Sequence, residues 1–239
     1  MTEREVLWHR EERELTLDGE PVLAYDLSWP EFREEGPGMR RINRCYQHMA
    51  RVWRQRWQRE VYCLACLQLA QRRADSRPFF PWKASLKGQV SLREGDLLSL
   101  RLQGEEIRGD GRPNLVCWGD TWQVAQGIPC PISQAIGAGR GWRRRLAQAA
   151  LSQGRVQAAR GECFWTADWE KQLGDLLPLE DYCLTPQGLE LPFPQCTIAP
   201  PAEGVPVLSL PLPLAPPQAE APSSLQGKLG GLLRKRKKT

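Results

Sequence analysis

The chain has 239 residues, 41% hydrophobic and 26% charged, which is the composition of a soluble folded domain long enough to bury a sizeable core. Its formal charge of +5 is unevenly placed: after Glu220 come Lys228, Arg234, Lys235, Arg236, Lys237 and Lys238 with no acid, so the preceding part carries −1. A nearly neutral body removes the nucleic-acid argument from overall basicity, and no run approaches the ~18 apolar residues that span a bilayer.

The N-terminus is charged throughout and has no apolar h-region, so the expected location is the cytoplasm, with membrane association through the tail as an addition. Residues 5 to 17 and 21 to 29 flank Asp18-Gly19, a dipeptide suited to a tight hairpin turn. Pro30 is expected to end the second strand, because proline cannot donate to a ladder. From residue 39 to 73 the pattern turns helical, with Ile42, Cys45, Met49, Val52, Trp53, Trp57, Val61, Leu64 and Leu67 at steps of three and four. Nine arginines in that segment fall mostly on the other face and read as a solvated surface.

Residues 83 to 92, 96 to 105 and 114 to 124 read as strands of an antiparallel meander, since their connections are too short for crossovers. Helical character returns at 131 to 136, 142 to 159 and 166 to 173. Strands containing Tyr182, residues 189 to 198 and 205 to 210 are expected to complete the same sheet. The expectation is an α+β domain over residues 1 to 214, a long N-terminal helix on a mostly antiparallel sheet with additional short helices. Residues 215 to 239 are expected to form a Pro/Ala/Ser linker and a basic, disordered tail.

Chemistry-bearing patterns are sparse. His9 and His48 have no partner at metal-ligand spacing, and both read as structural. Cys63 and Cys66 have zinc or redox spacing, but no second pair completes four ligands. The acidic pairs Glu11-Glu12, Glu34-Glu35, Glu105-Glu106 and Glu180-Asp181 read as solvent-facing turn residues. Eight cysteines spread along the chain suit buried reduced thiols better than a stapled scaffold. No cofactor or metal is expected. Among ten tryptophans, Trp118, Trp122, Trp165 and Trp169 lie near loops, where they could anchor a partner; the competing reading is core filling.

The closing segment is the most distinctive. Tyr182, Thr185, Gly188-Leu189, Pro192-Phe193, Ile198-Ala199-Pro200, Ala202, Gly204 and Pro206 follow in order, with Ile42-Asn43 opening the long helix and Ser99-Leu100 on the central strand. This order resembles the RsiV-like domain of unknown function, which forms the ectodomain of lysozyme-sensing anti-sigma factors and accompanies the catalytic domain of some peptidoglycan deacetylases. The family's glycine–histidine turn is replaced here by Gly109-Asp110-Gly111-Arg112. The resemblance implies a non-enzymatic bacterial interaction or sensor domain with a protein or glycan partner of the cell envelope. The alternative is a peripheral membrane-surface or nucleic-acid-binding protein acting through Lys228, Arg234, Lys235, Arg236, Lys237 and Lys238. A third reading is an enzyme whose site is assembled only in three dimensions.

Overall fold

The computed structural model describes residues 6–137 and 139–214. β1 (Val6–Leu17) and β2 (Glu20–Phe32) form the expected hairpin, with positive φ at both Asp18 (53°) and Gly19 (83°), as a two-residue turn requires. β2 runs through Pro30 to Phe32 instead of stopping at the proline. The reason lies in its other neighbour: β3 (Trp82–Glu94) pairs with β2 only from Leu23 to Leu27. Beyond Leu27 one side of β2 has no ladder to keep, so a residue lacking an N–H is tolerated there.

The long helix is interrupted. α1 (Pro37–Gln55) passes through a π-helical turn at Arg56–Val61 into α2 (Tyr62–Ala74). A π-turn inserts one extra residue per turn and therefore rotates everything after it. Before the turn the buried side chains are Met39, Ile42, Tyr46 and Ala50, within it Trp57 and Val61, and after it Ala65 and Leu69. The regular pattern would have placed Leu64 and Leu67 inside, yet they are 46% and 68% exposed. Asn43 fixes the first half of the helix: its side chain accepts from the Phe32 N–H at 2.9 Å and donates to the Phe32 carbonyl at 2.8 Å.

β3, β4 (Leu97–Ile107), β5 (Pro113–Gln123) and the short β6 (Ile128–Pro129) continue the sheet in the order β1-β2-β3-β4-β5-β6. Every pair is antiparallel except β2–β3, whose connection contains the long helix, as a parallel pair demands. The alternation along β4 divides the faces. Leu98, Leu100 and Leu102 are fully buried with Ile42, Tyr46 and Trp122 under the helix. Ser99 and Arg101 face the opposite side.

That opposite side carries a second sheet. β7 (Cys183–Thr185), β8 (Gly188–Pro192) and β9 (Val207–Leu210) pair with one another and do not extend the first sheet, as the sequence had suggested. α3 (Ile132–Ala135), α4 (Trp142–Arg160) and α5 (Trp169–Leu173) accompany it, and their apolar side chains share one core with Leu184, Leu189, Leu191 and Phe193. The two sheets meet through buried hydroxyls. Ser99 lies 2.8 Å from Thr121 and accepts from the Leu184 N–H at 2.8 Å. Gly119 permits this approach, since a Cβ there would fall 2.2 Å from the Tyr182 carbonyl carbon.

Candidate functional site

One cleft collects chemistry from several elements. β5 contributes Asp120, Thr121 and Trp122 to one wall, and Cys45 at the end of α1's third turn adds an edge. The β6–α3 corner supplies Pro129, Cys130, Ile132 and Ser133, the start of α4 supplies Trp142 and Arg143, and Leu179 and Glu180 close the rim. The cavity volume is about 750 Å³, within the range of ligand clefts.

Local structure holds these walls firmly. The Trp122 indole N–H donates to the Tyr46 hydroxyl at 2.8 Å, and the two rings meet edge-on at 6.1 Å. The Cys130 N–H donates to the Thr121 carbonyl at 2.7 Å, and the Tyr182 hydroxyl donates to the Cys130 carbonyl at 2.7 Å. Tyr182, the first residue of the distinctive closing segment, therefore braces the floor of the cleft from beneath.

Asp120 dominates the electrostatics. Burial pushes its carboxyl up to about 6, hydrogen bonding from Tyr46 and Trp118 opposes that only partly, and the negative charge of Asp181 adds to the rise. Asp181 is itself raised, by burial and then by Glu180. The Tyr46 hydroxyl is raised well above its ordinary value, chiefly by burial. Cys45 is raised by burial and by Asp120, which keeps this exposed thiol at the cleft's edge in its unreactive protonated form.

Of the four tryptophans singled out from the sequence, Trp122 alone reaches the cleft, and it is 8% exposed. Trp118 stacks on Trp53 with centroids 6.2 Å apart and planes within 9°. Trp165 stacks on Trp169 at 5.1 Å and donates to the Gly154 carbonyl at 2.9 Å, and Trp169 is 9% exposed. Trp169 belongs to the core, and the half-buried Trp118 and Trp165 pack against it. Trp142, with the Arg143 guanidinium 5.3 Å from its ring centroid, lines the cleft instead and carried no sequence signal beyond being a tryptophan at a helix start. Lys228, Arg234, Lys235, Arg236, Lys237 and Lys238 lie outside the described residues.

Two of the acidic residues expected to face solvent do not. Glu106 is 4% exposed and is held by Arg56 at 3.0 Å, by Arg108 at 3.0 Å and by the Trp57 indole at 3.3 Å. Glu11 accepts from Arg54 at 2.8 Å and from the Tyr25 hydroxyl at 2.7 Å. In both, the arginine and its neighbours outweigh burial and keep the carboxyl below its usual range. Arg56 and Trp57 belong to the π-turn and Arg54 lies just before it, so long-range pairing across the helix–sheet interface supplies what local sequence could not show. His9 pairs with Glu31 and stacks on Trp29, while His48 is exposed on α1. All eight cysteines carry free thiols. Among the described residues no helix is long and apolar enough to cross a membrane.

No family model and no curated protein sequence matches this chain. Solved structures do resemble it. A DUF3298 family protein of Bacteroides fragilis NCTC 9343 is 14% identical and matches with a TM-score of 0.62 over 87% of this chain and 90% of its own. A DUF3298 family protein of Pseudomonas aeruginosa PAO1 is 16% identical, with a TM-score of 0.50 over 87% of this chain and 91% of its own. At these identities the likeness is one of fold.

Proposed function

We propose that this chain is a non-enzymatic bacterial interaction domain of the RsiV-like type, which docks a cell-envelope protein or glycan at the cleft beside Asp120. The observation that carries this reading is the cleft itself: rigid aromatic and proline walls on braced strands, with polar groups at the rim. Its composition suits recognition better than turnover. Burial and Asp120 hold the Cys45 thiol protonated, and no histidine is among the residues that line the cleft. The DUF3298 fold, shared across nearly the whole described chain, agrees with the closing-segment resemblance.

Tryptophan fluorescence and indole N–H resonances test this directly, with lysozyme and soluble peptidoglycan fragments titrated as probes. Saturable changes at Trp122 and Trp142, lost in Trp142→Ala, are expected with one of them. Binding that survives Trp142→Ala with both resonances unmoved would place the partner elsewhere. The basic residues 228 to 238 support a second reading, contact with an anionic membrane or RNA, because each cation near an anionic leaflet contributes about 1 kcal/mol. Truncation after residue 224 should then abolish liposome or RNA binding.

A further inference from the structure

Asp120 departs from the pairing that Glu106, Glu11 and Glu190 keep. The enclosed carboxylate of Glu106 is neutralised by Arg56 and Arg108, and that of Glu11 by Arg54 at 2.6 Å. Arg101 likewise meets the half-buried Glu190 at 3.3 Å. Asp120 is largely enclosed, yet among the described residues no lysine, arginine or histidine pairs with it. Removing a carboxylate from water without a partner is unfavourable, and the usual remedies are a counter-ion or protonation. Asp120, enclosed and without a counter-ion, lines the cleft, and Glu180, which also lacks one among the described residues, stands on its rim.

The surroundings favour one sign of ligand charge. Glu180 and Asp181 stand on the rim segment and add negative potential. From α1, Cys45 and Tyr46 face Asp120 in protonated, neutral form. From α4 comes the sole cation of the lining, Arg143, exposed and drawn onto the Trp142 ring. That contact shows that the Trp142 ring takes a guanidinium at its face. We propose that the cleft is a receptor for a cationic group, an alkylammonium or guanidinium carried by the docked partner, with Asp120 as its counter-ion and Trp122 and Trp142 as its walls. This rests on the cleft being the docking surface. The pH response follows from the neutral state of an unpaired Asp120: occupancy weakens as pH falls through about 6, since protonation removes the counter-charge.

The test uses the full chain and three probes of matched length: the Nα-acetyl methylamides of lysine, arginine and norleucine, followed by the indole N–H resonances of Trp122 and Trp142 at pH 7.5. The lysine or arginine probe should bind at least tenfold more tightly than norleucine, and Asp120→Asn should remove that preference while leaving the indole spectrum of the free protein in place. Glu180→Gln, on the rim, should reduce the preference less. Equal binding of all three probes, unaffected by Asp120→Asn, overturns the cationic specificity and leaves an apolar docking cleft. Failure of all three to bind also overturns it; the docking reading then stands or falls separately, on the lysozyme and peptidoglycan titrations. Saturation by lysine alone assigns an ammonium source, and saturation by arginine alone a guanidinium.

Discussion

Asn43 and Phe32 are joined as if they were neighbours in a sheet: the side-chain amide takes the Phe32 N–H at 2.9 Å and returns a hydrogen bond to its carbonyl at 2.8 Å. Both backbone groups sit at the end of β2, where β1 begins and β3 does not reach. Asparagine is required because it offers one acceptor and one donor at fixed separation. Asn43→Ala should lower stability by about 2 kcal/mol, two modest hydrogen bonds lost from a half-buried site. Asn43→Asp should be no better, since the carbonyl of Phe32 would then face an oxygen. Urea midpoints at neutral pH measure both.

The contact between the two sheets rests on Ser99, Thr121 and Gly119. Ser99→Ala leaves the buried Leu184 N–H without its acceptor, and a loss of about 1–3 kcal/mol is expected. Gly119→Ala should be worse, because the new methyl would meet Tyr182 backbone atoms at 2.2 and 2.3 Å, and backbone cannot step aside as a side chain can. In hydrogen exchange, both variants should release β7–β9 before β1–β5. Ser209→Ala, on the exposed side of β9, should change stability by less than about 0.5 kcal/mol.

Sequence reasoning reached these residues unevenly, for reasons that are physical. The hairpin at Asp18-Gly19, the meander and the long helix follow from local rules: turn residues that accept positive φ, period-two alternation and period-3.6 stripes. The resemblance pointed to Asn43, Ser99 and Tyr182 as positions, and the structure gives each a bonding role: an amide clamp, a buried hydroxyl between sheets, a brace under Cys130. What stayed hidden was whatever depends on partners far along the chain. Glu106 reads as a turn acid until Arg56 and Arg108 close on it, and Asp120 carries no signal of its own within the strand 114 to 124, although residues of α1, α3 and α4 join it around the cleft. The separation of β7–β9 into their own sheet is equally non-local, because the period of a strand does not state which edge it joins.

The π-turn makes a sharp distinction between positions two residues apart. Ala65 faces the core fully buried, while Leu67 is exposed despite belonging to the apolar stripe of the sequence. Ala65→Asp should therefore cost several kcal/mol, as an unpaired carboxylate forced into the core between Val61 and Leu69. Leu67→Asp should cost less than about 1 kcal/mol, most of it helix propensity. An uninterrupted α-helix would reverse that order, so thermal unfolding of the two variants reports on the rotation directly.

Asp120 should contribute less to the stability of the fold at neutral pH than in mild acid. Its folded carboxyl titrates at about 6 against an ordinary value of 3.8, so between those values the native state holds a proton that the unfolded chain has released. Stability from this group is then fully present below about 4 and is lost as pH rises through about 6. The displacement corresponds to a penalty on the order of 2–3 kcal/mol at pH 7. Asp120→Asn should abolish this part of the pH dependence and leave the variant more stable than the parent at pH 7, but not at pH 4. Glu106 contributes with the opposite sign: Arg56 and Arg108 hold its carboxyl below 4.5, so its contribution is kept at neutral pH and lost in acid. Urea titrations of the parent, Asp120→Asn and Glu106→Gln across pH 3 to 8 separate the two. A parent and Asp120→Asn with parallel profiles between pH 4 and 7 would mean that Asp120 is already charged and solvated in the native cleft.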